Sequence, residues 1–111
     1  MAPTNPRLDG RVMLAPMTGD TYYPKRLVAR GQALLWALAE RIETQKPVGD
    51  AVYLLTQATT ELFNQLAEDF AEQDSEIETV AREAIGDDIG AILEAYGYDV
   101  DIEEAIGNRD W

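Results

Sequence analysis

The chain has 111 residues with 21 acids against 9 bases, a formal net charge of −12 at pH 7; 46% of it is hydrophobic and 27% charged. That is one domain, long enough to bury a core unaided and too apolar for a disordered acidic tail. It contains no histidine and no cysteine, which excludes Ser-His-Asp catalysis, cysteine nucleophiles, disulfides, and zinc sites built on thiolate or imidazole.

The charge is segregated. Up to Thr60 five acids stand against seven bases, a balance of +2, whereas from Glu61 onward sixteen acids face only Arg82 and Arg109, a balance of −14. Such a field repels nucleic acid and anionic membrane and attracts cationic proteins or metal ions. No stretch approaches the roughly 18 apolar residues of a membrane span, and the N-terminus lacks the apolar core of a secretory signal. The expectation is a cytoplasmic protein with no membrane and no nucleic-acid partner.

Residues 1–23 carry Pro3, Pro6, Gly10, Pro16 and Gly19 and read as a wrapped arm, with Val12 to Met17 forming a turn or short helix docked on the core. Pro24 suits a first helical position. Leu27, Val28, Gly31, Leu34, Leu35, Leu38 and Ile42 then recur at helical spacing, predicting a helix over 24–45 that stops at Lys46-Pro47-Val48-Gly49. Gly31 inside that stripe marks close approach to another helix.

Asp50 is the expected N-cap of a second helix over 51–72, with the stripe Val52, Leu55, Ala58, Leu62, Phe63, Leu66 and Phe70. Ser75-Glu76-Ile77-Glu78 has the S-x-x-E form of a capping box and predicts a third helix over 75–96, open to a kink at Gly86 or Gly90 and ending near Gly97. A short helix over 101–106, capped by Asp101, closes the chain. No window alternates with period two, so the fold class is all-α: three main helices in a bundle, a short fourth, and the arm across it.

Asp88 falls within the arc of Ile77, Ala81, Ala84, Ile85 and Ile92 at about 100° per residue. A buried carboxylate there needs Arg82, Arg41 or a metal as partner. The more ordinary expectation is that Gly86 or Gly90 bends the helix and turns Asp88 out to water. On the second helix Thr59 lies in the apolar stripe, Asp69 on its edge, and Thr56, Thr60 and Asn64 line up at i, i+4, i+8. This row is a candidate internal polar site, although mid-helix threonines commonly bond back to the carbonyl four residues earlier. Glu72, Asp74, Glu76 and Glu78 gather where the third helix should begin and suit its dipole, and Glu78 with Arg82 forms an i, i+4 pair.

Carboxylates alone can hold Mg²⁺ or Ca²⁺. The patterns disfavour it: Glu104 stands where an EF-hand loop beginning at Asp99 needs glycine, and Glu76, Glu78, Glu83 and Asp87 only loosely imitate an E-E-x-x-E repeat. No metal and no cofactor are expected. Two tyrosines and two cations at Tyr22-Tyr23-Pro24-Lys25-Arg26 are too small a footprint to bind nucleic acid against −12.

At Tyr22 to Val28, Leu55-Thr56 with Ala58 to Asn64, Ser75 to Glu83, and Ala95 to Tyr98 through Arg109-Asp110-Trp111, the chain resembles a family of small bacterial proteins classed only as a domain of unknown function. The resemblance covers nearly the whole length. It implies a stand-alone bacterial protein ending at Trp111 and carries over no catalytic residue. The Tyr22-Tyr23-Pro24 segment and the acidity are also similar to the four-helix immunity proteins of DNase colicins, where the Tyr-Tyr-Pro motif sits on a short third helix rather than before the first long one. That likeness implies an exposed tyrosine pair as anchor and an acidic face that speeds association with a cationic partner.

The functional expectation is a non-enzymatic interaction module, of inhibitor or immunity type, that meets a basic protein through Tyr22, Tyr23, Glu72, Asp74, Glu76, Glu83 and Asp87. The alternative is a small metal- or ligand-binding protein or enzyme using Thr56, Thr59, Asn64, Asp69 and Asp88. A third is self-association through a leftover apolar strip around Trp36 or Trp111.

Overall fold

A computed structural model describes residues 3–111; Met1 and Ala2 of the arm lie outside the described residues. The architecture is all-α, with no strand among the described residues. Helices α2 (Lys25–Gln45), α3 (Val52–Glu72) and α4 (Thr79–Ala95) form the body, with short α1 (Ala15–Thr18) in the arm and α5 (Ile102–Ala105) near the end of the chain.

Helix α2 begins one residue after Pro24, whose extended ψ of 127° makes it the flanking residue while its carbonyl accepts from Leu27 and Val28. It ends with Lys46 in the left-handed region, whose N–H donates to the Ile42 carbonyl, and Pro47 blocks continuation. The turn Gly49–Ala51 feeds α3, so Asp50 sits inside a 3₁₀ turn and its side chain caps nothing.

Antiparallel α2 and α3 pack closely at Gly31. A Cβ there would lie 2.7 Å from Leu14 Cδ1, 3.3 Å from Phe63 Cε1 and 3.4 Å from Leu66 Cδ2. The glycine therefore admits both α3 and the arm, at a helix-propensity cost of about 1 kcal/mol.

The turn after α3 overrides the capping box. Asp74 takes φ 57°, its N–H donates to the Ala71 carbonyl, and the Ser75 N–H donates to the Phe70 carbonyl. This pair of bonds is a Schellman motif that satisfies the last carbonyls of α3. Ser75 is thereby the end of α3 rather than the start of α4: it is buried, and its Oγ has no hydrogen-bond partner. Helix α4 starts at Thr79 with Glu78 flanking it and runs unbroken through Gly86 and Gly90. It closes at Gly97 (φ 80°) by a second Schellman pair, Tyr98 N–H to Leu93 and Gly97 N–H to Glu94. Asp101 caps α5, accepting from the Glu103 N–H at 2.9 Å.

One core joins these elements: Leu35, Leu38 and Ile42 from α2, Phe63, Leu66 and Phe70 from α3, Ile85, Ile89 and Ile92 from α4, and Leu8, Met13, Leu14 and Met17 from the arm. Burying side chains of this size stabilises by about 1.5–3 kcal/mol each before chain entropy is counted. Helix α3 is rolled relative to its apolar pattern. Thr56, Thr59 and Thr60 are buried, while Leu54, Ala58 and Leu62 face out.

Candidate functional site

Asp88 does not turn out to water. Because α4 is unbroken at Gly86 and Gly90, the helical arc carries its carboxylate inward, where it is 4% exposed. Its partner is neither Arg82 nor Arg41 but the arm. Arg11 donates to Oδ1 from Nε at 3.1 Å and from Nη2 at 2.8 Å, and the Leu14 N–H donates to Oδ2 at 2.7 Å. Leu14 stands at φ 55°, a left-handed conformation costly for a branched residue, and these bonds hold it there with its side chain against Gly31. Gln32 Nε2 bonds the Met13 carbonyl at 2.8 Å, and Glu43 accepts from the Thr4 N–H and the Tyr96 hydroxyl. Asp88 is thus one member of a set of latches that fix the arm, and both its oxygens are used.

The polar row of α3 is also engaged. Thr60 Oγ1 bonds back to the Thr56 carbonyl at 2.9 Å and Thr56 Oγ1 to the Tyr53 carbonyl at 3.2 Å, which lets both hydroxyls sit inside. Thr59 is buried beside them. Asn64 accepts from the Asp110 N–H at 2.8 Å and donates to the Asn108 carbonyl at 3.0 Å. Gln57 Nε2 donates to the Glu104 carbonyl, and the Tyr53 hydroxyl accepts from the Asp101 N–H. Of the row, only Asn64 reaches another segment among the described residues, and with its α3 neighbours Gln57 and Tyr53 it holds residues 101–110 against the helix. Asp69 lies apart from it, in a surface ion pair with Arg30 at 2.9 Å.

The tyrosine pair is split. Tyr22 is 43% exposed, but Tyr23 is only 2% exposed, its ring edge-on to Phe70 at 6.3 Å and its hydroxyl donating to Glu78 at 3.2 Å. Burial, together with that carboxylate, pushes the Tyr23 hydroxyl up to about 12. Tyr23 is a core residue and not an exposed anchor. Glu78 is engaged by this hydroxyl and forms no ion pair with Arg82 among the described residues. Phe70 and Glu78, which Tyr23 meets, bracket the turn that exposes Glu72, Asp74 and Glu76, and the Tyr22 ring stands edge-on to Tyr23 at 5.0 Å.

Glu83 and Asp87 belong to a different place. They rim an open groove of about 600 Å³ between α4 and α5, paved by Gly86, Gly90, Ala91, Ile102 and Ile106. Glu94 and Glu103 add to the rim with Arg82 and Arg109, the last bonded to Glu103 at 3.2 Å. Glu83, Asp87, Gly90 and Glu94 follow one face at spacings of four, three and four. That spacing was available in the sequence, whereas the α5 wall was not. Among the described residues no group of three acids is arranged to hold a metal ion, and no helix is long and apolar enough to cross a membrane.

Fold and site together define a small helical bundle whose inner polar groups brace its own two ends and whose open groove is acidic. Residues 7–111 match the model of a family of unknown function, DUF5713, and the chain belongs to that family. Neither the curated proteins nor the solved structures gave a match.

Proposed function

We propose that the protein is a non-enzymatic interaction module that docks a basic protein partner in the α4–α5 groove, in a cytoplasmic setting and in the manner of an inhibitor. The carrying observation is the pair of glycines. A Cβ on Gly90 would meet nothing within 4 Å, and one on Gly86 only Ile106 Cδ1 at 4.0 Å. Packing inside the molecule does not require either glycine, yet each costs about 0.5–1 kcal/mol against alanine in mid-helix. A partner that approaches the α4 backbone closely supplies a reason for both. With Glu103 already paired to Arg109, Glu83, Asp87 and Glu94 outnumber Arg82 on the rim, and this net negative charge favours lysine or arginine side chains on that partner and speeds their encounter.

The test is a chemical-shift titration with a lysine-rich amphipathic peptide and its glutamate counterpart. Saturable, salt-sensitive shifts along α4 and α5 with the basic peptide alone support docking. Gly90→Ala should raise the melting temperature, and Gly90→Leu should remove the peptide shifts while the helical signal stays intact. Indifference of the groove to both peptides would refute the reading.

A further inference from the structure

The roll of α3 leaves a strip of apolar side chains without cover. Leu54 is 74% exposed and Leu62 is 37% exposed, with exposed Ala58 midway between them, one helical turn from each. The strip extends past exposed Ala51 toward Val48, which is 86% exposed. It uses none of the groove residues and includes neither Trp36 nor Trp111, the places where the sequence alone would put a contact.

The charges at its two ends differ. Where α2 leads into α3, Arg41 and Lys46 are exposed together with Asp50; at the far end of α3, Glu68 and Glu72 are exposed, and Asp69 is already bonded to Arg30. A parallel copy would set like charges against like. An antiparallel copy sets Lys46 against the Glu68–Glu72 end twice over, and it opposes the two helix dipoles favourably.

We propose that a second copy of this chain covers the strip, its α3 running antiparallel, with the two-fold axis at Ala58. Leu54 of each copy then packs on Leu62 of the other, and the small Ala58 side chains let the helices approach at the axis. With the axis at Ala58 the two α3 helices overlap over residues 52–64, a contact about 20 Å long and one helix wide, at the small end of specific interfaces, so the dimer is weak and reversible, in the micromolar range.

Sedimentation equilibrium of the full chain over a wide concentration range should show reversible doubling of mass, weakened by added salt. Leu54→Glu should weaken the dimer by about tenfold or more, and Lys46→Glu by about two- to threefold, with unchanged helical signal in both. Because the chain has no cysteine, single cysteines report the geometry: Ala58→Cys should cross-link under mild oxidation, whereas Leu54→Cys, facing Leu62, should not. A monomer at every concentration overturns the proposal, as does a dimer indifferent to Leu54→Glu. Equal cross-linking of both cysteine variants overturns the antiparallel arrangement.

Discussion

The two irregular ends of the chain are both tied to the helical body, by different chemistry. The arm is held by a buried carboxylate, with Arg11 and the Leu14 N–H on Asp88, and it contributes Leu8, Met13, Leu14 and Met17 to the core. The C-terminal segment is held on α3 by neutral amide and hydroxyl groups, Asn64, Gln57 and Tyr53, and contributes Ala105 and Ile106. A charged latch inside the protein makes strong bonds but leaves a costly charge behind when one side is lost, whereas neutral latches fail more gently. The arm should therefore be the more brittle attachment.

The largest effect is expected for Asp88→Ala. It strands the buried Leu14 N–H and frees a strained turn, while the Arg11 guanidinium, 35% exposed, is left to water, costing about 2–3 kcal/mol; chemical denaturation measures it. An effect below that of a surface substitution would mean that the arm is seated by its apolar residues alone. Asn64→Ala should cost less, about 1–2 kcal/mol, and its amide-exchange signature should be confined to the last residues of the chain. If both variants loosened both ends equally, the ends would be one unit and the contrast would fail.

Alkaline titration sharpens the contrast on the arm side. The Tyr23 and Tyr96 hydroxyls are raised from 10.0 to about 12, in each case first by burial and then by the carboxylate they bond, Glu78 or Glu43. A folded value above the unfolded one gives stability that is complete below pH 10 and lost as pH rises toward 12. Glu43 has the opposite sign: the Thr4 N–H holds its carboxyl below 4.5, so its contribution is present above that value and disappears as acid is added. Denaturation midpoints across both windows check these signs, and Tyr96→Phe should flatten part of the alkaline fall. The smallest effect is expected at Ser75, whose buried hydroxyl has no partner. Ser75→Ala should be neutral or stabilising by up to about 1 kcal/mol, read as a small rise in melting temperature.

Helical periodicity made the three long helices legible and put Asp88 on the inward arc, but Gly86 and Gly90 favoured the outward reading that the unbroken helix overturns. The partner of Asp88 was not legible, because Arg11 lies 77 positions away on a segment without periodicity. The S-x-x-E pattern at Ser75 named an N-cap, but the preceding helix captured the same residue as its own terminus through the left-handed turn at Asp74. Pattern alone placed Leu62 and Ala58 inside α3. Back-bonded threonines, which hide their polarity locally, took the interior instead. The acids Glu83 and Asp87 were visible as charge, but the groove they rim depends on how α5 folds back, which no local pattern encodes.

The Leu14 N–H lies 2.7 Å from an oxygen of Asp88, 74 positions further along the chain. During synthesis the arm emerges before α2 and α3, yet its anchor exists only once α4 has been made and folded, so the arm is fixed later than the helices that follow it. In the finished protein the same amide reports detachment of the arm as a unit: its exchange with solvent hydrogen measures how often the arm lifts while the three long helices stay in place.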